Sequence, residues 1–186
     1  MATESKRDSP VLMIVDMQVG VLANTWEPGR VIENTVLAVD RARAARVPVV
    51  WVQHSNDDLP ENSAAWQLAP GLIPAEGEKQ VHKRFNSSFE QTNLEQIMAE
   101  LQVNHVVLAG AATNWCIRAT AYGALERGYD LTLIGDAHTT EDIELKDGDT
   151  IQAASTIKEL NIAIQWLEYP DRQNKVVAVR QLDFSH

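Results

Sequence analysis

The sequence contains one cysteine, Cys116, so no intrachain disulfide can form and a zinc site built on several thiolates is excluded. What a lone sulfur can do is attack: as the thiolate it is a strong nucleophile. Thr113 and Asn114, both good N-cap types, precede it. That spacing predicts a sulfur in the first turn of a helix, where free N–H groups and the positive dipole end favour ionisation. Flanked by Trp115 and Ile117, it reads equally well as an inert buried residue. Asp16 ends a run that is otherwise apolar; burying it unpaired would be costly, so it needs a partner or a task. Lys83, in the stretch KQVHKRFNSSF, supplies a compensating cation if residues 80–82 lie along the same sheet. Read alone, it is a surface lysine.

The elements that would bring these residues together alternate along the chain. Residues 11–15, 49–53, 106–109 and 131–134 are short apolar runs, as expected of strands buried on both faces of a parallel sheet. Ile32, Val36 and Val39 recur at helical spacing and predict a helix over 31–46. Thr92 to Glu95 has capping-box spacing ahead of Leu94, Ile97, Met98 and Leu101. A further helical stripe, Ile117, Ala121, Ala124 and Leu125, stops at Gly128. Ala153, Ile157 and Leu160 mark a last helix and residues 162–166 a last strand. Alternation of this kind predicts an open, doubly wound, mostly parallel sheet with helices on both faces, a Rossmann-like three-layer α/β/α domain. Its ligands bind beyond the carboxyl ends of the strands, where Asp16, His54, the 110–116 segment and His138 fall. One domain should span 1–186, with 1–9 flexible and 170–186 an apolar tail that docks on a neighbouring copy.

Composition narrows the partners. With 16 Lys+Arg against 26 Asp+Glu among 186 residues, the net charge is −10, the wrong sign for a nucleic-acid binder. No apolar run approaches the roughly 20 residues that cross a bilayer, and residues 1–10 lack a signal-peptide core, so a cytoplasmic protein is expected. Neither a G-x-G-x-x-G fingerprint nor a Walker A loop is present.

Three motifs, VLMIVDMQ, VHKRFNSSF and GAATNWCIRATAYGALERGYD, occur in an order that resembles the isochorismatase-like cysteine hydrolases, a superfamily that includes nicotinamidases and N-carbamoylsarcosine amidases. The third is the specific one. The resemblance covers about residues 11–140. It implies a catalytic triad of Asp16 as base, Lys83 as its ammonium partner and Cys116 as nucleophile. It also implies a cis peptide between Ala111 and Ala112, and an oxyanion hole from the N–H groups of Ala112 and Cys116. Hydrolysis of a small amide, ureido or carbamoyl C–N bond through a thioester follows, without a cofactor, in a homo-oligomer. Two alternatives stand beside it: ether or ester hydrolysis without a covalent intermediate, and a silent relative that binds a metabolite or partner.

Candidate substrate-binding residues lie in loops and at element ends near the inferred cleft. They are Gln18, Trp26 and His54, then Trp66, Phe85 and Asn86, and finally Phe89, Trp115 and His138. No metal site is expected, because the stretch 53–58 lacks the Asp-x-His spacing of nicotinamidases. The acidic run Glu141, Asp142, Glu144, Asp147 and Asp149 reads as a solvated loop with no site.

Overall fold

The computed structural model describes residues 8–184. Eight strands and five α-helices follow in chain order. These are β1 (Pro10–Val15), α1 (Val19–Leu22), α2 (Pro28–Ala44), β2 (Val49–His54), β3 (Lys79–Lys83), α3 (Leu94–Glu100), β4 (His105–Ala111), α4 (Arg118–Glu126), β5 (Asp130–Thr139), β6 (Ile143–Glu144), β7 (Thr150–Ile151), α5 (Ala153–Trp166) and β8 (Asn174–Val177). Six of the strands form one sheet in the order β3-β2-β1-β4-β5-β8, every neighbour parallel. Strands β6 and β7 pair as a separate short hairpin.

The central strands are apolar at every position because both faces are covered. In β1, Val11, Met13 and Val15 pack with α3, α4 and α5 residues such as Met98, Leu125 and Leu160. Leu12 and Ile14 point the other way, against Val31, Ala38 and Val39 of α2. Each such fully buried aliphatic contributes about 1.5–3 kcal/mol relative to exposure. The result is the three-layer α/β/α arrangement that the alternation predicts. Among the described residues, no helix is long and apolar enough to cross a membrane.

Several expectations need correction. Residues 162–166 are not a strand: α5 runs unbroken to Trp166, with Leu160 and Ile164 on its buried face. The final strand is β8, which pairs with β5 from Leu131 to Ile134. The apolar tail expected to dock on a neighbouring copy packs instead on its own chain: Val179, Leu182 and Phe184 close the α2 side of this chain's core. Residues 1–7, expected to be flexible, lie outside the described residues, whereas Asp8 and Ser9 are tied to His105 and Asn104. Strand β5 continues past Ile134 to Thr139, through an irregularity opposite β4 between Leu108 and Gly110.

Candidate active site

Asp16, Lys83 and Cys116 converge at the carboxyl edge of the sheet. The Lys83 ammonium is 2.6 Å from Asp16 Oδ2, 3.2 Å from Cys116 Sγ and 3.1 Å from the Phe85 carbonyl oxygen. His54 Nδ1 lies 3.5 Å from the same ammonium, a fourth and longer contact. Burial alternates along β3, with Val81 and Lys83 inside and Gln80 and His82 outside, which turns Lys83 inward at the strand's last position. The Ser55 N–H donates to the Lys83 carbonyl and pins that end.

Asp16 reaches Lys83 by a break in the strand pattern. Simple alternation would put it on the Leu12 and Ile14 side, but its φ is 51°, a left-handed conformation in which Asp is enriched among non-glycine residues. Its N–H still donates to the Val52 carbonyl, so the turned residue is held by β2. On the other flank Gly110 has φ 137°, and a Cβ there would lie 1.9 Å from the Val15 carbonyl oxygen. Only glycine permits β4 to pass this close to the residue before Asp16.

Cys116 sits in a π-helical turn, Thr113–Ile117, that leads into α4; the Ile117 N–H reaches back five residues to the Ala112 carbonyl. Thr113 and Asn114 are not its caps, contrary to expectation. The Thr113 hydroxyl meets His138 Nδ1 at 2.9 Å, and Asn114 Oδ1 accepts from the Thr140 hydroxyl at 2.6 Å. The turn is therefore clamped to the end of β5 and the segment after it. The peptide between Ala111 and Ala112 is cis, as the motif resemblance implies.

The electrostatics differ from the simple helix-terminus expectation. Burial, reinforced by the negative charge of Asp16, pushes the Cys116 thiol up to about 12, against the opposing pull of Lys83. Burial also raises the Asp16 carboxyl, opposed by Lys83. The resting site is accordingly a thiol beside an acid–ammonium pair. Asp16 Oδ1 is buried without a hydrogen-bond partner among the described residues, leaving an acceptor free for an incoming proton. Burial and the Lys83 charge lower His54 below the ordinary imidazole value, so it is neutral at pH 7.

A cavity of about 350 Å³ opens over the triad, lined by Asp16, Ala112 and Cys116 at one side and by His54, Asn86 and Trp115 among others. The loop after β2 contributes Asn56, and the segment after β1 contributes Gly20, Val21, Asn24 and Thr25. Gly20 lets the two approach, since a Cβ there would lie 2.9 Å from Ala65.

The other expected pocket residues are elsewhere. Gln18 is fully buried and bonds the His54 N–H and carbonyl and the Trp66 carbonyl, so it braces the cavity wall from behind. Trp66 packs edge-on against His82, and Phe89 stacks on Tyr129 in the core. Trp26 carries the Arg30 guanidinium over its ring, and Phe85 serves the site through its carbonyl. Neither of the last two lines the cavity. His138 is buried between Thr113 and Asn161, and burial lowers it to about 4. It supports the cysteine turn and does not touch the cavity. Sequence reading missed Glu141, which lines the cavity. Among the described residues no group of three or more metal-ligating side chains is assembled.

Comparison with known proteins shows the family and the fold. The model of the isochorismatase domain matches residues 10–180. A streptothricin hydrolase of Streptomyces noursei is 31% identical over 170 residues, which is 86% of this chain and 65% of the relative. The chain spans only 65% and 58% of the two streptothricin hydrolases it matches. A maleamate amidohydrolase of Pseudomonas putida is 27% identical, covering 81% of this chain and 76% of that protein. Among solved structures, an isochorismatase from Pseudomonas putida superposes with TM-score 0.83 and 26% identity, covering 98% of this chain and 94% of its own. The cysteine, acid and ammonium in contact at the strand ends, together with these matches, place the chain in the isochorismatase family.

Proposed function

We propose that this protein hydrolyses the C–N bond of a small-molecule amide, ureide or carbamoyl compound, with Cys116 as nucleophile. One observation carries the reading: a single buried ammonium, Lys83, touches both Asp16 and Cys116 on the wall of a cavity large enough for a small substrate. The amidohydrolase name of the Pseudomonas putida relative supports the reaction class.

In the first half-reaction the Cys116 proton passes to Asp16 as Sγ attacks the carbonyl carbon. The raised affinity of Asp16 for a proton suits it to this transfer. Lys83 holds Asp16 in place and balances the charge that stays in the buried site. The N–H groups of Ala112 and Cys116 would receive the developing oxyanion, where each donor is typically worth roughly 10²–10³ in rate. Collapse breaks the C–N bond, and the Asp16 proton leaves with the amine or ammonia. Water, deprotonated by Asp16, then cleaves the thioester, releasing the acid and restoring the thiol. A thiol protonated at rest is compatible with this order, because ionisation and attack occur together.

The test is ammonia or amine release from a panel of primary amides, ureides and carbamoyl compounds, with acid-quenched turnover examined by mass spectrometry. Turnover should be lost in Cys116→Ala and in Asp16→Asn while circular dichroism is retained, and an acyl adduct should appear on Cys116. Activity that survives Cys116→Ala overturns the reading.

A further inference from the structure

Glu141 stands out because its backbone is fastened on both sides while its carboxylate is free. On one side Thr140 is buried, its hydroxyl on Asn114 and its carbonyl accepting from the Trp26 N–H. On the other, Asp142 accepts the Ala153 N–H at the start of α5 at 2.7 Å. Glu141 itself lines the cavity that Cys116 also lines and has no ion-pair partner among the described residues. The same Thr140–Asn114 bond that fixes Glu141 also fixes the turn carrying Cys116. The backbone that carries Glu141 is thereby tied to the turn that carries the sulfur.

The rest of the lining supplies nothing to offset that charge. It contains Asp16, neutral His54, the amides of Asn24, Asn56 and Asn86, and the Thr25 hydroxyl, and no Lys or Arg. Lys83 does not line the cavity, and its ammonium is engaged by Asp16, Cys116 and the Phe85 carbonyl, with His54 Nδ1 at 3.5 Å. The arginines nearest in sequence are engaged outside the cavity: Arg30 with Glu27 and Trp26, Arg84 with Asp57, and Arg118 with Glu159. Trp115, 53% exposed on the cavity wall, offers an aromatic face to which an organic cation is attracted. An anionic substrate would find the Glu141 carboxylate, an Asp16 carboxylate already paired with Lys83, and no cation among the lining residues.

We propose that Glu141 is a specificity-determining residue and that the substrate is a small amide bearing a cationic group, a protonated amine or guanidinium, away from the scissile bond. This rests on the amide-hydrolase reading for its chemistry, but the charge preference of the cavity is measurable without turnover. Cationic substrates gain from Glu141, neutral ones are accepted, and carboxylate-bearing amides are rejected.

Because Cys116 is the only cysteine, methanethiosulfonate reagents report on this cavity alone. Sγ forms a disulfide with the reagent sulfur, methanesulfinate departs with the electron pair, and the thiol proton goes to solvent. Labelling of the whole protein is compared for the 2-(trimethylammonium)ethyl, methyl and 2-sulfonatoethyl reagents, each rate divided by that for 2-mercaptoethanol. The cationic reagent should outpace the anionic one by roughly tenfold. Glu141→Gln should reduce that ratio several-fold, whereas Glu126→Gln, the same charge change at the far end of α4, should not. A ratio near one, or an equal fall in both variants, overturns the proposal. In a second arm, kcat/KM for 6-aminohexanamide, hexanamide and adipamic acid should fall in that order, with Glu141→Gln erasing the advantage of the first. Equal turnover of all three overturns the charge preference and leaves the amidase reading intact. Charge-selective labelling with no turnover of any amide supports the preference and counts against the amidase reading.

Discussion

Lys83 and Asp16 form an ion pair of 2.6 Å between side chains that are 0% and 1% exposed. Such a pair differs from a surface salt bridge because neither charge can fall back on water when the other is removed. Asp16→Asn or Lys83→Met alone should each cost about 3–5 kcal/mol of stability, the penalty for stranding the remaining charge. The double variant should cost less than the sum of the two. Urea midpoints of the four proteins at pH 7 give the coupling directly, and additive losses would mean that the pair is screened.

The position of Cys116 next to Asp16 leads to an effect opposite in sign from the effect on turnover. Burial and the Asp16 charge hold the thiol up at about 12, so alkylation by iodoacetamide should be slower than that of a free thiol at pH 7.5. Its rate should climb roughly tenfold per pH unit up to pH 9, without a plateau. Asp16→Asn removes the negative neighbour and leaves the Lys83 ammonium on the sulfur. Labelling at pH 7.5 should then become faster although hydrolysis is lost. A time course by mass spectrometry separates the two, and slower labelling in Asp16→Asn would contradict this account of the thiol.

His138 makes the fold acid-sensitive. Its folded value is about 4 against an ordinary 6.5, because burial disfavours the charged ring. Below pH 6.5 the unfolded chain therefore binds a proton that the folded chain refuses. Stability contributed by this residue is complete above pH 6.5 and is lost as pH falls toward 4, by about 3 kcal/mol over the full interval. Urea midpoints at pH 7 and pH 5 should converge more in His138→Gln than in the unaltered protein. Loss of the Thr113 contact at low pH would also loosen the turn that carries Cys116.

Much of this site was legible in the sequence. Apolar runs ending in Asp16 or followed by the cysteine turn mark strand ends, and strand ends are where a parallel sheet gathers its ligands. Lys83 was legible only through motif resemblance, because alternation along a five-residue strand is too short to separate a buried lysine from an exposed one. The role of Glu141 was hidden for a different reason. Within an acidic run nothing distinguishes the residue held by Thr140 and Asp142 from its solvated neighbours, since the restraints come from Asn114, Trp26 and Ala153. Gln18 and His138 were visible as polar residues near the cleft, but whether a polar side chain faces a cavity or braces its wall depends on partners far along the chain. Strand β8 was missed because its half-buried residues alternate weakly at the sheet edge.

The three side chains of the proposed triad stand just after β1, at the end of β3 and after β4, and β3 is an edge strand held laterally by β2 alone. A slip of one residue in that single pairing would invert every side chain of β3 and send the ammonium outward. The proposed hydrolysis is then a gauge of strand registration. It should disappear before helical content does as the protein is destabilised, and the outermost ribbon, not the cysteine turn, sets the point at which the machinery comes apart.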